Sequence, residues 1–114
     1  MSEISGQDLI AEMTRLRGDL DVAIRNLRHA GTEYAKAERD YKVLLRQKVL
    51  ELRDSGMAVG IIDKICYGIP EVADARFQRD VAKTVYEANQ ESINGTKLQI
   101  RIVQEQINKE YGNG

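Results

Sequence analysis

The sequence has no tryptophan and only one each of phenylalanine, histidine, cysteine and proline in 114 residues. Aromatics make up 5%, too few for a compact β core, whereas 42% hydrophobic and 31% charged residues suit long helices. With His29 and Cys66 each alone in its kind, no Cys, His or carboxylate cluster has metal-ligand spacing. His29 reads as a surface residue flanking the apolar seam, and Cys66 as a small buried hydrophobe. A lone cysteine forms no internal disulfide, which fits a reduced, cytoplasmic setting. No glycine-rich loop follows a strand-like segment, so no nucleotide fold is visible. The expectation is a protein that is not an enzyme and uses no cofactor or metal. The opening MSEISGQDLI lacks a basic segment followed by an apolar run, so no signal peptide is expected. No apolar run approaches the roughly 20 residues of a membrane span. A net charge of −1 provides no global basic field, so any nucleic-acid binding must use charge sorted locally.

Periodicity is what the chain has in quantity. Ser5 is a candidate N-cap, with Asp8 in the first turn. Apolar residues then recur at alternating spacings of four and three, through Leu9, Met13, Leu16, Leu20, Ala23, Leu27, Ala30, Tyr34, Ala37, Tyr41 and Leu44. The seam steps by one residue to Leu45, Val49 and Leu52, and Gly56 is a candidate C-terminal cap. A helix over about 6–55 is predicted, about 75 Å long. A short helix over about 58–67 follows, in which Ile61, Ile62, Ile65 and Cys66 are expected to plug one end. Pro70 suits the first turn of a last helix over about 70–111. Its seam is Val72, Ala75, Arg79, Ala82, Tyr86, Asn89, Ile93, Thr96, Ile100, Val103 and Ile107. Polar seam residues fix register or oligomer state at a cost in stability, which makes Asn89 and Arg79, with Tyr86 and Ile93 beside them, candidate register residues.

These elements predict an all-α fold: one domain over 1–114, a long antiparallel, coiled-coil-like hairpin with a short connecting helix. Gly95 is expected opposite Ala30 and Gly31, allowing close approach. Ile10, Val22, Ile24, Val43 and Leu50 lie off the first seam. Phe77, Val81, Val85 and Ala88 form a second apolar line beside the other. A two-stranded seam does not need them, and they predict assembly into a homo-oligomeric bundle.

The charges are sorted by face. Two adjoining outer heptad positions of the first helix hold Arg25, Arg28, Thr32, Ala35, Arg39, Lys42, Arg46, Val49 and Arg53, with no acidic residue among them. A position flanking the seam holds Glu12, Asp19, Glu33 and Asp40. Outer helix faces are charged by default. A one-signed stripe about 42 Å long is also what a phosphate backbone requires, and arginine suits phosphate through bidentate contacts. Arg25, Arg28, Arg39, Lys42, Arg46 and Arg53 are therefore the candidate nucleic-acid contacts. The stretch from Val49 to Arg79 has the outline of a helix-turn-helix, but its would-be reading helix opens with Glu71 and Asp74, which phosphates repel. Tyr34, Tyr41 and Tyr86 have the chemistry to stack on bases, but their seam positions favour core packing.

"AKAERDYKVLLRQKVLELRDSG" followed by "EVADARFQRDVAKTVYEANQESINGTKLQIRIVQEQI" resembles a group of small helical proteins encoded by phages and prophages of Gram-positive bacteria. In layout it is also similar to the UvsY-type recombination mediators of large phages. The second resemblance implies an oligomeric helical protein that binds single-stranded DNA and helps load a recombinase, with Arg39, Lys42 and Arg46 where such a mediator would hold DNA. The corresponding location is the host cytoplasm. Two alternatives stay open: a protein-binding phage inhibitor of a host defence system or nuclease, whose partner is a host or phage protein, and a structural coiled-coil scaffold.

Overall fold

The computed structural model describes residues 6–112, so Ser5 lies outside the described residues. They form helix α1 (Gly6–Asp54), helix α2 (Val59–Ile65), a 3-10 turn (Cys66–Gly68) and helix α3 (Pro70–Tyr111), and no strand. The fold is all-α and divides into two compact units. One comprises Met1–Arg28 with Glu87–Gly114, the other His29–Tyr86.

The second unit is a complete helical hairpin. α1 ends in a Schellman motif: Gly56 takes φ of 90°, its N–H donates to the Arg53 carbonyl at 3.0 Å, and Met57 N–H donates to that of Leu52 at 3.2 Å. Ser55 Oγ adds a 2.6 Å bond to the Leu52 carbonyl. Ile69, extended at ψ 128° as the residue before a proline must be, is the N-cap of α3, and Pro70 occupies the position where its missing N–H costs nothing. At this end Ile62 and Cys66 of the connector and Val72 of α3 are all buried. Ile61 and Ile65, expected in that plug, are exposed instead. Ile62 and Cys66 share one i, i+4 line, Ile61 and Ile65 the next, and only one such line of a short helix can face inward.

Tyr34 and Tyr86 pack ring to ring across this unit, with centroids 5.8 Å apart. Tyr86 also lies against Gly31, where an added Cβ would stand 3.4 Å from its ring. Gly31 thus faces an aromatic ring rather than another glycine. Gly95 is exposed, with open space where a Cβ would project.

In the first unit, Leu9, Met13, Leu16 and Val103 form the core, with Ile100 and Ile107 packed against it. Gly6 lies beneath the Tyr111 side chain, whose ring and hydroxyl occupy the space a Cβ would need. Along α3, every seam residue from Val72 to Ile107 is buried or half-buried, and every other residue is exposed. Thr96 resolves its polarity within its own helix, donating from Oγ1 to the Ser92 carbonyl at 3.0 Å.

Candidate nucleic-acid interface

Within the hairpin unit, α1 presents Arg39, Lys42, Arg46 and Arg53 outward, all exposed. Their spacings of three, four and seven keep them on one strip of helix, about 21 Å from end to end at 1.5 Å per residue. Val49, also counted in this stripe, is half-buried. A helix of 3.6 residues per turn drifts against a seven-residue repeat. The seam's step from Leu44 to Leu45 takes up that drift and rotates Val49 and Lys48 inward.

The stripe is not uniformly free. Arg39 Nε and Nη2 both donate to Asp40 Oδ1 at 3.1 Å. Lys42 Nζ stands 3.3 Å from Glu38 Oε1. Arg46 and Arg53 form no ion pair with any described residue. In the other unit Arg25 and Arg28 are exposed on the same helix. The pairs at Arg39 and Lys42 are open to solvent, with those side chains 65% and 71% exposed. Exposed pairs are weak and screened by salt, so an incoming phosphate can compete for both cations.

Behind Lys42 lies a network that sequence reasoning missed. Glu38 Oε2 accepts a hydrogen bond from Arg79 Nη1 of α3 at 3.2 Å. Arg79 Nε donates to Asp80 at 2.8 Å, and its guanidinium carbon stands 4.8 Å from the centre of the Tyr41 ring. Partial burial disfavours both charges. Hydrogen bonds from Arg79 and Lys42 nonetheless hold the Glu38 carboxyl below its ordinary range, and those to Asp80 and Glu38 raise Arg79 above its own. The signal was present in Arg79 and Tyr41, a cation and an aromatic each at a seam position, but pairing them required the hairpin register.

The candidate register residues separate by unit. Arg79 and Tyr86 make their contacts inside the hairpin, to Glu38, Tyr41, Tyr34 and Gly31. In the first unit Ile93 is buried and Asn89 half-buried. Tyr41 is buried, and Tyr34 and Tyr86 are half-buried against each other. α3 runs unbroken over 42 residues, so the connector does not place a short reading helix after a turn. Among the described residues no group of three or more His, Cys, Asp or Glu could hold a metal ion, and no helix is long and apolar enough to cross a membrane.

An open groove of about 410 Å³ runs along one side of the hairpin unit, floored by Ala37 and Ala75 and walled by Glu33, Lys36, Asp40 and Gln78. No family model, curated protein or solved structure matches this chain.

Proposed function

We propose that this chain is a non-enzymatic accessory protein that binds single-stranded DNA along the outer face of α1. The observation that carries the reading is the pair Arg46 and Arg53. Both are exposed and without an ion-pair partner among the described residues, on the strip that also bears Arg39 and Lys42. Phosphates meet the two unpaired guanidiniums first and then draw Arg39 from Asp40 and Lys42 from Glu38. The tyrosines stay in the hairpin, so binding is electrostatic and tolerant of sequence. In the phage setting that the resemblance implies, such a protein serves a recombination or replication module.

A second reading, a protein-binding inhibitor or scaffold, draws support from the exposed apolar line of Phe77, Val81 and Val85. Fluorescence anisotropy with a labelled strand of about 20 nucleotides separates the two. Saturable binding at about 50 mM salt that weakens steeply by about 200 mM supports the DNA reading. No binding at the lower salt overturns it and leaves the stripe a solvated face.

A further inference from the structure

We infer that Glu38 regulates the DNA site: its carboxylate is a resident competitor for the phosphate at Lys42, and Arg79 of α3 sets how strongly it competes. This rests on the DNA reading of the α1 stripe. Glu38 has no attraction for phosphate of its own, so it acts through Lys42, as a positioning residue.

The two paired cations of the stripe are held by carboxylates of different kinds. Asp40 is exposed and pairs with Arg39 alone among the described residues. It is free to swing into water when a phosphate arrives. Glu38 is only 27% exposed, and both of its oxygens are engaged. Oε1 faces Lys42 Nζ at 3.3 Å, and Oε2 accepts from Arg79 Nη1 at 3.2 Å. Arg79 is itself only 20% exposed and is fixed by Asp80 and the Tyr41 ring. Moving Glu38 away would break its bond to this half-buried cation, which is costlier than moving an exposed lysine. The carboxylate therefore stays, and Lys42 is the partner that moves.

Charge decides the sign. A Lys42–Glu38 pair presents little net charge to an approaching phosphate, and a phosphate that takes Lys42 lies near a carboxylate of its own sign. Binding at Lys42 gives up an ion pair, whereas Arg46 and Arg53 have none to give up among the described residues. Arg79 moderates the competition. A carboxylate shared by two cations, which also repel each other, holds each less firmly than it would hold one. Without Arg79, the whole charge of Glu38 falls on Lys42. The seam between α1 and α3 thus tunes the affinity of the outer face.

Fluorescence anisotropy with a labelled strand of about 20 nucleotides at about 50 mM salt tests this as a double-mutant cycle. Glu38→Gln keeps an oxygen for the Arg79 bond and removes the charge. It should tighten binding about twofold to fourfold, the scale of an exposed ion pair. On a Lys42→Gln background the same substitution should leave affinity unchanged. Glu33→Gln removes an equal charge from the same helix beside Lys36 and should stay near wild type. Arg79→Met should weaken binding, and should do so only while the Glu38 carboxylate is present. Circular dichroism checks that each variant is helical, and the Glu38 and Arg79 arms each decide without the other. Binding by wild type with no gain in Glu38→Gln overturns the inference and leaves the DNA reading standing. So does an equal gain on the Lys42→Gln background or in Glu33→Gln, which makes Glu38 one more charge in the general field. An Arg79→Met loss that persists without the Glu38 carboxylate overturns the part assigned to Arg79. No binding by wild type overturns both the inference and the reading beneath it.

Discussion

The guanidinium of Arg79 lies over the ring of Tyr41, 4.8 Å from its centre, on the seam where α1 meets α3. This pairing links a cation that must stay charged to an aromatic that must stay buried, and it fixes which turn of α1 each turn of α3 can face. Arg79→Ala removes the cation–π contact and the hydrogen bond to Glu38, and should cost about 1–2 kcal/mol. Arg79→Met keeps the packing of the stem without the charge and should recover much of that loss. Thermal unfolding of both variants checks this, and an Arg79→Ala melting temperature equal to wild type would remove the pairing's claim to hold the hairpin in register.

Acid should loosen the same network. The Glu38 carboxyl is held below its ordinary value of 4.5, so the unfolded chain binds a proton more readily than the folded one. Its contribution is then present above pH 4.5 and lost as pH falls through the lower folded value. Glu12, lowered first by its hydrogen bond from Arg15, adds in the same direction. Glu38→Gln should lower the melting temperature at about pH 7, with the gap to wild type closing as pH falls below the ordinary value of 4.5. A gap that stays constant with pH would show that the substitution acts through shape rather than charge.

Gly18 and Gly95 sit inside long helices, with open space where a side chain would project. Alanine gains about 1 kcal/mol of helix propensity at such sites. Gly18→Ala and Gly95→Ala should each raise stability by about that amount in urea unfolding. A decrease at Gly95 would reveal a neighbour supplied by another copy.

The basic stripe has its own arithmetic. Arg39→Gln/Lys42→Gln/Arg46→Gln keeps helix propensity nearly constant and changes exposed charges only, so helicity and oligomer size should hold. Each phosphate that a cation no longer neutralises takes about 0.7 from the slope of log affinity against log salt, so the triple variant should shrink that slope by about 2. An unchanged slope would exclude these three side chains from the DNA interface. Dissociation of the assembly would make the stripe a protein interface instead.

Spacing alone made the α3 seam legible, because a helix with one buried strip betrays it every three or four residues. The ends of the helices were nearly as plain, since Gly56 and Pro70 have few conformational alternatives. Register was not legible. Counting inward from the connector did not find Tyr86 against Gly31, and the same ignorance hid the meeting of Arg79 with Glu38 and Tyr41. The connector was half legible: its apolar content announced a plug, but four adjacent candidates did not say which i, i+4 line would turn inward. For the stripe, residue types showed the sign of the charge, while the pairing of Arg39 with Asp40 and Lys42 with Glu38 depended on rotamers that no periodicity encodes.

The hairpin topology also orders the folding of the chain. Ile62, Cys66 and Val72 are each buried and lie close together in sequence, so burying them closes only short loops at small entropic cost. Leu9, Met13 and Leu16 must find Val103 from the far end of the chain, a search that is slow until the intervening helices are already held side by side. The turn end is therefore expected to form first, and the cluster around Leu9 to close last and fray first. Pulse-labelled hydrogen exchange should find amides of residues 59–75 protected before those of residues 9–16, and the reverse order would mean that the distant ends meet first.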